Sequence, residues 1–287
     1  MAKKRILFRQ HLNRSRMGNV LVFITLALFG LFFVFPIIYA ISTAFKPMNE
    51  IFIFPPRLFV RNPTFRNFTQ LAQMTTDFWV PLSRYLFNSL LVSVLATIGH
   101  LLFASMAAYP MAKHSFPGQK WMNTIIVMSL LFTPSVTYIP QYVVLAQLKI
   151  INSYWALILP ALQSSLGLYL MRSFMATIPK EMLEAARIDG ASEKQIYWKI
   201  VMPNVKPASM TLIIFAFQAI WNNTGGTMIF SEELKVLPGI LSAITAGGIA
   251  RAGVSSAAVL ILMLPPVLIF CLTQRRVIET MSMSGMK

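Results

Sequence analysis

Residues 20–41 form a run of 22 residues, VLVFITLALFGLFFVFPIIYAI, without a single charge. At 1.5 Å of rise per residue, a helix of that length crosses ~30 Å of hydrocarbon. The run therefore points to lipid as the solvent of the fold. Further apolar stretches lie at 85–111, 121–145, 154–171, 208–220 and 254–273. The fifth of the six is short, and Pro207 and Trp221-Asn222 blur its ends. With 56% hydrophobic residues, 12% charged residues and a mean hydropathy of +0.64, the chain is far from the composition of a soluble domain. The expected fold is all-α and polytopic, with about six transmembrane helices. Its parts are a basic N-terminus (1–19), one membrane domain (20–273) and a short tail (274–287). Pro36, Pro134, Pro140, Pro160 and Pro265-Pro266 fall in or beside the spans and read as kinks or as hinges.

Six spans leave both termini on one side. Of the 25 Lys and Arg, 17 fall on that side, in the N-terminus, the 113–120 loop, the 179–203 region with its flanks, and the tail. The positive-inside rule makes this the cytoplasmic side of a multi-pass cell-membrane protein. The net charge of +16 is then largely topological, and the dispersed basic residues carry no nucleic-acid motif. The basic start could precede a signal peptide, but 20–41 is long for one and lacks a small-residue cleavage pattern, so it is expected to remain as the first span.

Between the fourth and fifth stretches lies a polar island, EAARIDGASEKQIYWKIVMP. Pro179 suits a first helical turn, and Glu181 and Glu184 favour the positive end of its dipole. Gly190 can cap that helix in the left-handed conformation. Ser192 and Gln195 have the spacing of a capping box that opens a second helix at Glu193. That helix is expected to stop before Pro203. The product is a compact two-helix knob.

Glu184-Ala185-Ala186, with Asp189-Gly190 next and Pro203 closing the island, resembles the EAA loop of ABC importer permeases. The flanks AFKPMNEIF (44–52), NSLLVS (88–93), AAYPMAKHSFPG (107–118) and FAFQAIWNN (215–223) are similar to the maltose-type carbohydrate branch. The resemblance implies a type I importer transmembrane domain whose 179–203 loop docks on an ATPase. Glu184, Ala185, Ala186, Asp189, Gly190, Ala191, Ser192 and Pro203 would form the coupling element. Small alanines would permit close approach, Glu184 would offer a carboxylate to a basic groove, and Asp189 would support the turn at Gly190. The implied partners are a second homologous permease, two ATPase subunits holding ATP and Mg, an extracytoplasmic solute-binding protein, and the lipid bilayer. The implied cargo is a sugar, in particular an oligosaccharide. A polyol or glycerol-phosphate importer is the alternative within the family, and an ion-coupled secondary transporter the alternative outside it. The tail, QRRVIETMSMSGMK, departs from the commoner family ending and is closer to permeases for complex oligosaccharides.

No phosphate-binding G-x-x-x-x-G-K-[ST] occurs, so energy must come from another subunit. No catalytic constellation and no metal-ligand spacing is found. Cys271 reads as a small buried hydrophobe. His100, inside the second span, is either a hydrogen-bonded interhelical group or a proton relay. Asp77, Glu50, Glu232 and Glu233 read as loop acids. Long external loops are expected at 54–81 and 222–253. The glycines of the second resemble, by position, a loop that reaches into the docked receptor in some carbohydrate permeases; flexibility explains them equally. Trp221, Asn222 and Asn223, a ring with two amides, are candidates for the substrate path, with an interfacial belt as the other reading.

Overall fold

The computed structural model describes residues 16–76, 79–132, 134–248 and 251–284, and its regular structure is helical throughout. In chain order come α1 (Arg16–Ala44), α2 (Met48–Ile51), α3 (Arg66–Thr76), α4 (Leu82–Lys113), α5 (Gln119–Ser129), α6 (Pro134–Gln147) and α7 (Trp155–Ala161). They are followed by α8 (Ser165–Ala176), α9 (Lys180–Ile188), α10 (Glu193–Gln195), α11 (Met202–Asn204), α12 (Lys206–Trp221), α13 (Leu237–Thr245) and α14 (Ala252–Ser284).

Among the described residues, three helices are long and apolar enough to cross a bilayer alone: α1, α4, and α14 over Ala252–Gln274. These match the first, second and sixth stretches of the sequence. The third and fourth stretches are not single helices. The third breaks between α5 and α6, with Pro134 at the first position of α6, where its missing N–H costs nothing. The fourth breaks between α7 and α8, and its freed Leu162 carbonyl accepts a hydrogen bond from His100 Nδ1 at 3.0 Å. A broken helix at membrane depth requires such a partner. α12 is the fifth stretch, with Pro207 in its first turn, and it meets the preceding helical segment at 76°.

α4 is the spine. Its start carries Tyr85 into a core shared with α12, α13 and α14, and its middle carries Val92 and Ala96 into a second core with α7. Its end carries Ala104, Ala108 and Tyr109 into a third core with α8 and the knob. α1, by contrast, leaves almost all its large side chains exposed and packs mainly on α14, as a lipid-facing helix would.

The two long loops are folded. α3 occupies the first; Asp77 lies outside the described residues. Asn67 on α3 donates to the carbonyls of Ala44 and Lys46, each at 2.8 Å. Glu50 is buried and accepts the Arg61 and Asn62 amides, both at 3.0 Å. The Arg61 amide foremost holds its carboxyl below the usual carboxylate range. In the second loop α13 buries Leu237, Ile240, Leu241 and Ile244. That segment is pinned to α4 by Asn88, which donates to the carbonyls of Glu233 (2.8 Å) and Lys235 (2.9 Å), and by Tyr85, which donates to Glu232 at 2.9 Å. Cys271 is exposed on α14 rather than buried, beside the exposed Leu272.

Candidate functional site

Residues 179–204 form the expected knob. Pro179 stands just before α9, in extended backbone, rather than inside its first turn. At the other end Gly190 adopts φ +81°, the Ala191 amide bonds the Ala186 carbonyl (2.9 Å) and the Gly190 amide bonds the Arg187 carbonyl (3.0 Å). This pair of bonds is the Schellman arrangement, which a left-handed glycine permits. Ser192 and Gln195 close their capping box, the Gln195 side-chain oxygen accepting the Ser192 amide at 2.9 Å.

The second helix does not stop before Pro203. It continues to Asn204 through a π turn over Ile196–Val201, in which the Met202 amide reaches back to the Tyr197 carbonyl. The wider turn displaces the hydrogen-bond ladder just where a proline N–H is missing. The same turn sends Ile196, Tyr197 and Val201 into the core beneath α4.

One face of the knob is therefore an anchor and the other is free. Leu183 is buried, Ala186 and Ala191 pack against the core, and Glu184, Ala185, Asp189, Gly190, Ser192 and Pro203 are exposed. Ile188 is 87% exposed at the tip, an unburied apolar side chain that the sequence pattern did not single out. Also missed is the junction at Glu193. Its carboxylate accepts from Arg187 Nε (2.8 Å) and from the Tyr109 hydroxyl on α4 (2.7 Å), with His114 Nε2 at 3.7 Å. Arg187 foremost, and Tyr109 after it, hold the Glu193 carboxyl below its ordinary range. Behind it the Tyr197 hydroxyl and Ser105 Oγ on α4 are 2.7 Å apart. Lys113, the last residue of α4, bonds the carbonyls of Ala176 and Ile178 at the entry to the knob. Tyr109 and Ser105 thus tie the knob to the end of α4, and Lys113 ties the segment that leads into it.

A second feature lies between α6, α7, α8 and α12: a cavity of about 570 Å³ that extends to the Asn223–Gly226 turn. It is large enough for a ligand of drug or disaccharide size. Asn223 lines it, and its Oδ1 accepts the Gly225 amide at 2.9 Å. Asn222 is exposed but does not line it. Trp221 is a correction to the expected path. It is 1% exposed, stacks on Phe217 at 5.7 Å and donates its only N–H to the Leu262 carbonyl at 2.9 Å. Its ring is committed to the α12–α14 core. At the cavity's floor Gly167 packs against His100, where an added Cβ would lie 2.0 Å from Nε2.

The family described as binding-protein-dependent transport system inner membrane component matches residues 14–281. An arabinooligosaccharide transport permease, AraQ of Halalkalibacterium halodurans, is 27% identical over 88% of this chain and 91% of its own. A sn-glycerol-3-phosphate transport permease, UgpE of Yersinia enterocolitica, is 31% identical over 68% of this chain and 71% of its own. In three dimensions the chain is similar to a subunit of a bacterial ABC transporter that imports the acidic polysaccharide alginate. The TM-score is 0.75 at 21% identity, covering 91% of this chain and 98% of that one.

Proposed function

The chain belongs to the binding-protein-dependent inner membrane transport components, and from that membership we propose that it forms, with a second permease, the path for an oligosaccharide through the membrane. It is a permease subunit and not an enzyme. An external binding protein delivers the sugar, and two separate ATPases, holding ATP and Mg, supply the work. The knob docks in an ATPase groove through Glu184, Ala185 and the exposed Ile188, and faces the cytoplasm with both termini.

One observation carries the coupling. α8 and α12 line the cavity through Gly167 and Leu212 and run into the core of the knob through Met175 and Ala208. Movement of the knob therefore moves two walls of the cavity as packed bodies. Uptake in cells tests the reading against an ion-driven carrier. Replacing the phosphate-binding lysine of the cognate ATPase should abolish uptake. Uptake that survives this change and collapses with the ion gradient would overturn the reading.

A further inference from the structure

We infer that the cavity between α6, α7, α8 and α12 selects an uncharged oligosaccharide and excludes uronate chains. The inference rests on the saccharide reading above and concerns which saccharides the path accepts.

The chain carries 25 Lys and Arg, yet none of the described residues lining the cavity is Lys, Arg, His, Asp or Glu. A carboxylate taken from water into such a site needs a cation or several hydrogen-bond donors in compensation. A hydroxyl needs only one donor or acceptor. The lining supplies groups of the second kind. The Gln141 amide and the Ser164 and Thr224 hydroxyls lie along the cavity without a hydrogen bond among the described residues. Asn223 has its oxygen held by Gly225, which leaves its NH₂ as the free end.

Two rings complete the lining, as the apolar faces of sugar rings require. Phe215 is half exposed, and Tyr138 is fixed by its hydroxyl, which lies 2.8 Å from Thr227 Oγ1 and accepts the Thr227 amide at 3.2 Å. The start of α8 also borders the cavity, through its N-cap Ser164 and Leu166, and contributes about half a positive charge. That polarises one hydroxyl but cannot balance a carboxylate on every sugar unit.

The test uses the whole complex in lipid nanodiscs with its binding protein. The probes are a neutral arabinan-derived pentasaccharide, a neutral xylan-derived pentasaccharide and a galacturonate pentasaccharide. Variants Ala219→Lys and Ala219→Glu place either charge on the cavity wall. The expected result is ATPase stimulation by a neutral probe at least tenfold above that by the uronate. Both variants should cut the neutral response by a similar factor, because a neutral ligand does not read the sign of the charge. Stimulation by the uronate, or a response kept by Lys and lost with Glu, would overturn the neutral selection while leaving an oligosaccharide importer intact. Silence toward all three saccharides, with stimulation by glycerol phosphate or a polyol, would remove the saccharide reading and this inference with it.

Discussion

Tyr109 on α4 donates its hydroxyl to the carboxylate of Glu193 at 2.7 Å, and that bond joins the knob to the end of the α4 span. Arg187 holds the other carboxylate oxygen at 2.8 Å, so Glu193 joins both helices of the knob to α4. The carboxylate is half exposed, so solvent screens both bonds and keeps their contribution small. The function of this junction is geometric more than energetic.

Tyr109→Phe keeps the packing against Tyr197 and removes the bond to Glu193. We expect insertion and ATPase co-purification to persist while the ratio of sugar imported to ATP hydrolysed falls several-fold. Arg187→Ala should lower the same ratio, and the double variant should lower it by less than the two effects combined, because both act through one carboxylate. Full additivity would show that the junction does not work as a unit.

The pH dependence has a definite sign. Arg187 and Tyr109 favour the charged form of Glu193, so its folded pKa lies below the unfolded value of about 4.3. Its contribution is complete above that value and is lost as pH falls through the lower, folded one. The difference in thermal midpoint between the wild type and Glu193→Gln, present at about pH 5, should close below about pH 4. A difference that persists undiminished below that pH would contradict the assignment.

Much of this knob was legible in sequence, because its determinants are local. A left-handed glycine, a Ser/Gln capping box and an exposed Glu-Ala-Ala need only near neighbours to be recognised. What escaped depends on distant partners. Glu193 reads as an ordinary first-turn acid until α4 brings Tyr109 against it. Trp221 reads as a sugar-stacking ring until α14 presents the Leu262 carbonyl. The apolar runs at 121–145 and 154–171 satisfy the length criterion for a span, and hydropathy is blind to a break whose freed carbonyl is met by a histidine from another helix. The third helical core element, α13, was hidden because its nine residues are too few to span and were read with the glycines around them.

Gly190→Ala separates backbone strain from space. Nothing lies within 4 Å of the added Cβ, but φ is +81°, a conformation that costs an alanine about 1–2 kcal/mol. We expect weaker ATPase co-purification, partly restored by Asn, which tolerates this region. Glu184→Lys, on the exposed face, should weaken co-purification without lowering the thermal midpoint of the permease.

Gly167→Ala tests the cavity floor. Its Cβ would lie 2.0 Å from His100 Nε2 and 2.7 Å from Leu212 Cδ1, so α8 must move away from α4. Overpacking of this kind costs about 1–3 kcal/mol, which should appear as a lower midpoint in detergent and reduced uptake. His100→Ala clears the nearer contact but takes the partner from the Leu162 carbonyl and leaves Leu212 in place, so combining the two should recover the midpoint only in part.

Conversion of work on the knob into passage of a sugar is measured by ATP hydrolysis of the purified permease–ATPase complex in nanodiscs, with and without its binding protein and sugar. We expect low basal hydrolysis that rises only when both are present. Hydrolysis indifferent to both, in a complex whose ATPases remain bound, would contradict that conversion.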